Sequence, residues 1–168
     1  MTTIRLRCFL VLFPLFLGFS AVGQLNNECA TATLIAQPEN FCSAVAAGTT
    51  IGATTSNIPP SACLGAGGQD VWFSFVAVAS EVTVIIRGLT FDNPGGTLFL
   101  PTVALYSGPC ASLTELDCAS DLFFSNNVEL SASGLTPGET YYFRVAGAVG
   151  GTFQYCIRNY FFSGTLSG

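Results

Sequence analysis

Ten carboxylates, seven cysteines and no histidine bound the chemistry open to this 168-residue chain. Without His, neither a Ser-His-Asp nor a Cys-His array can be assembled, and Ser74 and Ser107 read as ordinary strand residues. A carboxylate pair for glycoside hydrolysis would have to come from Glu115, Asp117 and Asp121. Acidic residues so close to cysteines more often form a solvated face, and no catalytic residue is assigned. For a calcium ion the hard oxygen donors are Glu28, Asp70, Asp117 and Asp121 with loop carbonyls. They have neither EF-hand nor Asp-rich nonapeptide spacing, and the plain alternative for Asp70 is a strand-entry residue. No other cofactor is implied. Aromatic residues suited to stacking on sugars or peptides are Trp72, Tyr106, Tyr142, Tyr160, Phe161 and Phe162. Core or inter-sheet packing is the expected fate of Trp72 and Tyr106. Tyr160, Phe161 and Phe162 follow the last strand and offer an exposed aromatic patch, a further edge strand or a contact with a neighbouring domain.

The N-terminus sets the compartment. Arg5 and Arg7 precede an apolar run from Cys8 to Phe19, and Ser20-Ala21-Val22-Gly23 supplies the small residues of a cleavage site. Residues 1–23 therefore read as a secretory signal peptide, too short and too interrupted at Pro14 to span a bilayer. Residues 24–168 then form one β-sandwich domain, either free-standing or from an incomplete reading frame. This mature segment keeps Arg87, Arg144 and Arg158, no Lys and all ten acidic residues, a net charge of −7. Such a charge makes nucleic acid and anionic membrane surfaces poor partners. Six cysteines remain, Cys29, Cys42, Cys63, Cys110, Cys118 and Cys156, with no Cys-x-x-Cys among them. They read as disulfides of an exported protein rather than a zinc site. Cys110 and Cys118 flank a segment short enough to bend back on itself and are the one pairing the spacing suggests.

The elements that must position these groups are strands. No apolar period of 3.6 is sustained, whereas period-two alternation recurs between Gly, Pro, Asn and Asp clusters. The clearest runs are 70–76, 81–87, 102–107, 127–132, 139–146 and 151–158, with weaker ones at 32–36, 49–54 and 113–118. Alternation gives inward sets: Val71, Phe73 and Phe75; Val82, Val84 and Ile86; Val103 and Leu105; Val128 and Leu130; Tyr141, Phe143 and Val145; Phe153, Tyr155 and Ile157. About nine short strands, each with one apolar face and no helix to cover it, require a second sheet. The expected class is all-β, a two-sheet antiparallel sandwich of jelly-roll type. Leu135, Pro137 and Tyr141 have the spacing of the tyrosine corner of fibronectin type III domains. Residues 58–68 form the longest connection.

A fuller resemblance rests on motifs in order along the mature chain: Asn26-Asn27-Glu28-Cys29-Ala30, Gly48 to Thr54, Asp70-Val71-Trp72-Phe73-Ser74-Phe75, Ala104 to Cys110, Leu116-Asp117-Cys118, Gly134 to Gly138 with Tyr141-Tyr142, and Gly151-Thr152-Phe153 before Cys156. In these the chain resembles the cysteine-containing β-sandwich modules related to bacterial pre-peptidase C-terminal domains, found in secreted and surface proteins of bacteria with type IX secretion. The resemblance implies a jelly-roll-like sandwich and a non-catalytic extracellular role in adhesion or in binding a polymer or partner protein. The alternative it implies is an accessory or pro-domain of a secreted hydrolase. Leu100-Pro101-Thr102 stands where such modules often carry Asp, and the acidic pair after the second loop cysteine is reduced to Asp121. Both departures weaken any calcium site carried over from relatives.

Overall fold

A computed structural model describes residues 24–56, 58, 61–64, 68–91 and 94–160. The signal segment, Phe161 and Phe162 lie outside the described residues. After a 3₁₀ turn at Cys29–Thr31 come ten strands: β1 Thr33–Ile35, β2 Phe41–Cys42, β3 Gly48–Thr49, β4 Asp70–Val76, β5 Glu81–Arg87, β6 Thr102–Ser107, β7 Thr114–Ser120, β8 Asn127–Ser133, β9 Thr140–Ala146 and β10 Thr152–Arg158. One sheet runs β1-β4-β9-β6-β7 and the other β2-β10-β5-β8, with β3 also paired to β10. All pairings are antiparallel except β1 with β4. Taken from β3 onward, the orders β3-β10-β5-β8 and β4-β9-β6-β7 are those of an eight-stranded jelly roll, and the all-β sandwich expected from alternation is present.

The inward sets meet as expected. Val71, Phe73 and Phe75 of β4, Val82, Val84 and Ile86 of β5, and Tyr141, Phe143 and Val145 of β9 join one buried cluster with Val103, Leu105, Val128, Leu130, Phe153 and Ile157. At its centre Phe73 stacks on Phe143 with centroids 4.9 Å apart and meets Phe153 edge-on. Each such side chain, fully buried, is worth roughly 1.5–3 kcal/mol. One weak run changed and one strand went unread. The 49–54 run is cut short because Gly52, at φ +79°, turns the chain after Thr49. Phe41–Cys42 is a strand too short to show alternation, and it exists because Cys42 pairs with Cys156 across the ladder.

The tyrosine corner is built as its spacing suggests. The Thr136 amide donates to Tyr141 Oη at 2.8 Å, and Leu135 is buried beside it. Gly138, at φ +91°, closes the turn into β9. Tyr141→Phe should cost about 1 kcal/mol in urea unfolding, the net value of one hydrogen bond, with the fold retained.

The middle of the first sheet, at β4, β9 and β6, is buried on both faces, which alternation alone did not anticipate. The outer face of β4, β9 and β6 presents Asp70, Trp72, Arg144, Ala104 and Tyr106, and a second cluster of Cys29, Leu64, Trp72, Ala104, Tyr106 and Ala146 covers it. Asn26 fixes the lid: its carbonyl accepts from the Trp72 amide and its Nδ2 donates to the Trp72 carbonyl.

Candidate functional site

Strand direction gathers four connections at one end of the sandwich. Asp70 opens β4, Ala146 closes β9 opposite it, Thr102 opens β6 and Ser120 closes β7 in the same row. In the second sheet Arg87 closes β5, Asn127 opens β8 and Thr152 opens β10. The connections 50–69, 88–101, 121–126 and 147–151 therefore emerge together.

A cavity of about 350 Å³ opens here, lined by Asp70, Thr102, Ser120, Asp121, Leu122, Arg144 and the Cys63-Leu64 segment, among others. Its charged groups are already engaged. Asp70 is fully buried, accepting from the Ser56 amide and hydroxyl and pairing with Arg144. The Trp72 indole N–H donates to Ser56 Oγ at 2.6 Å, and the Arg144 guanidinium lies 5.7 Å from the Trp72 ring centroid. Nε and Nη1 of Arg144, Tyr106 Oη and Glu115 Oε2 are buried with no protein partner among the described residues. Burial pushes the Tyr106 hydroxyl above its ordinary value, against the pull of Arg144.

Beside the cavity Asp121 organises the 121–126 loop. Its carboxylate accepts from the amides of Phe123 (3.1 Å), Ser125 (3.2 Å) and Asn126 (2.5 Å) and from the Ser125 hydroxyl. Asn126 then ties this loop to its neighbour, accepting from the Leu100 amide and donating to the Leu89 carbonyl. Phe124 and Asn126 both adopt left-handed backbone; Leu122, Phe123 and Phe124 face solvent while the Asn126 side chain turns inward. Seven of the thirteen exposed large apolar side chains among the described residues stand on these four connections: Ile51, Leu89, Phe91, Leu122, Phe123, Phe124 and Val149. Phe91 is 102% exposed, Phe123 89%, Leu122 75% and Phe124 66%. Phe99 packs on Phe124 across the two loops.

Partial burial pushes the Asp121 carboxyl up, but the donors from Asn126, Phe123 and Ser125 outweigh it and hold the group below the usual carboxylate range. A depressed folded-state value stabilises the fold above the unfolded value of about 3.9 and loses that contribution as pH falls through the folded value. Asp121→Asn should therefore be less stable than the parent at pH 7, with the gap closing below about pH 4. Urea unfolding across a pH series measures this.

Of the proposed calcium donors, only Asp70 and Asp121 share the cavity, and both are saturated by protein donors. Glu28 sits before the 3₁₀ turn, and exposed Asp117 accepts from the Cys118 amide. No group of three or more Cys, Asp or Glu side chains able to hold a metal forms among the described residues. Nor do Glu115, Asp117 and Asp121 converge. Glu115 accepts from the Ala62 amide, and Asp117 is tied within its own strand. All six cysteines among the described residues are paired, but Cys110 with Cys118 is not a pair. The bridges are Cys29–Cys110, Cys42–Cys156 and Cys63–Cys118. The local pairing fails because β6 and β7 already close that hairpin, leaving Cys110 and Cys118 to anchor the segments that cover the outer face. Trp72 and Tyr106 are buried, beneath this covering rather than between the sheets. The phenylalanine tip was missed by sequence reasoning. Its signal is Phe123-Phe124, adjacent apolar residues that break alternation between Asp121 and a Ser-Asn-Asn turn.

No protein-family model and no curated protein sequence matches the chain. Among solved structures it is similar to CsCBM6-3 from Clostridium stercorarium, determined in complex with cellobiose, at 13% identity and a TM-score of 0.34 over 74% of this chain and 85% of that one. At that distance neither ligand nor site transfers. No family-model or sequence match supports kinship with pre-peptidase C-terminal modules.

Proposed function

We propose that the chain is an exported, non-catalytic adhesion module whose contact surface is the loop end around Leu122, Phe123 and Phe124. The observation that carries this reading is the concentration of exposed apolar side chains on loops braced by Asp121 and Asn126. Contiguous exposed apolar surface on a rigid scaffold marks an interaction site. The carboxylates nearby brace the structure, which leaves them unsuited to acid–base work. Three disulfides and the signal-like N-terminus support an extracellular setting. The same surface would serve an accessory module turned toward the catalytic domain of a secreted hydrolase. A reading frame running on into such a domain would favour that alternative. The adhesion reading predicts that the oxidised module binds at least one member of a panel of immobilised glycans, matrix proteins and lipid vesicles. A uniformly negative panel counts against it.

A further inference from the structure

We propose that β8 is a pairing edge for a second copy of this chain, giving a two-fold dimer in which the second sheet continues from β8 into the partner's β8. The other edge strands are guarded. β1 and β2 are three and two residues long, and β7 is bulged against β6 and tied to the outer cover through Cys63–Cys118. β8 pairs with β5 over seven residues in unbroken register. It contains no Lys, Arg, Pro or Gly, and Glu129 is its one charge. Short length, bulges, Pro and charge are the usual guards against strand addition.

The ladder says which groups are free. The Gly88 amide donates to the Asn126 carbonyl, one step beyond the Arg87–Asn127 pair. In antiparallel pairing this parity turns the backbone groups of Val128, Leu130 and Ala132 toward β5, and those of Asn127, Glu129, Ser131 and Ser133 away from it. Asn127 is capped on that side by Ser125, whose hydroxyl serves both its amide and its carbonyl. The outward N–H and C=O groups of Glu129, Ser131 and Ser133 have no partner among the described residues, and all three residues are exposed. A two-fold axis at Ser131 engages all three at once, Glu129 opposite the partner's Ser133 and Ser131 opposite the partner's Ser131. That register is self-complementary in charge, because each Glu129 faces a serine and never its own copy. On the core side it sets buried Leu130 beside the partner's Ala132, extending the apolar face of the sheet.

The test is sedimentation velocity of the oxidised mature chain from low to high micromolar concentration, with amide hydrogen exchange read at both ends of the range. The expected result is a monomer–dimer equilibrium that tightens as salt screens the net charge of −7, with the amides of Glu129, Ser131 and Ser133 gaining protection as dimer forms. Ser131→Pro should weaken association at least about tenfold, because it deletes both hydrogen bonds donated at the axis. The lost N–H faces away from β5, where an edge strand tolerates Pro, so the dilute variant should melt with the parent. Ser131→Lys, a change at an exposed side chain, should weaken association at low salt and recover at high salt, since it sets like charges opposite each other. A chain that stays monomeric throughout overturns the proposal, as does a dimer whose formation leaves these three amides unprotected. A dimer weakened by Phe123→Ser/Phe124→Ser but not by either Ser131 variant places the contact at the loop end and overturns it too.

Discussion

Asp70→Asn should lower the unfolding free energy of the oxidised domain by about 3–5 kcal/mol, the usual cost of removing one partner from a buried ion pair. For a domain of this size the shift corresponds to roughly 10–15 °C in melting temperature. The carboxylate is fully buried and holds three groups at once: the Ser56 amide, the Ser56 hydroxyl and the Arg144 guanidinium. An amide in its place keeps the volume but leaves Arg144, itself buried, as an uncompensated charge. It also loosens the segment that carries Ser56 over Trp72. Replacing both partners by apolar residues, as in Asp70→Leu/Arg144→Met, should recover much of the loss, because well-packed apolar side chains often match a buried pair. A double-mutant cycle by urea unfolding reads both effects. A cost below about 1 kcal/mol for Asp70→Asn would show that water reaches the pair.

The second large effect concerns the bridges. Sequence separations of 81, 114 and 55 residues mean that each closes a long loop of the unfolded chain. Chain-entropy arguments give about 4–5 kcal/mol for loops of this length, although engineered cases often deliver less. Cys42→Ala/Cys156→Ala should therefore cost several kcal/mol, about 5 on that argument, and full reduction should unfold the domain near room temperature. Non-reducing peptide mapping should join Cys29 to Cys110 and Cys63 to Cys118. A peptide joining Cys110 to Cys118 would restore the pairing that local spacing suggested and remove the anchors of the outer cover.

The inter-sheet core was legible in the sequence because one physical rule governs it. Every inward residue read from alternation, from Val71 to Ile157, occupies the cluster between the sheets or packs against it. Tyr141 was legible for a similar reason, since its hydroxyl reaches Thr136 within the same turn. What escaped are contacts between residues distant in sequence. Asp70 and Arg144 stand on strands whose pairing is a matter of topology, so nothing local marks them as partners. Alternation places Trp72 on the outer side of its strand but does not say that Cys29, Ala32, Ile58 and Leu64 cover that side. The disulfides failed for the same reason, because spacing favours the nearest cysteine while the sheets bring distant ones together. The apolar tip required knowing that the 88–101 and 121–126 loops leave the sandwich at one end, which the strand order settles and the residue pattern does not.

The loop end is the centre of the account, and a paired substitution tests it most directly. Binding to whichever panel member the parent recognises should be compared for Phe123→Ser/Phe124→Ser and for Leu34→Ser, the latter removing an exposed apolar side chain from the edge of the first sheet instead. The account predicts at least about a tenfold loss for the phenylalanine pair and none for Leu34, with both variants melting as the parent does. Undiminished binding by the phenylalanine variant, or an equal loss on changing Leu34, would contradict it.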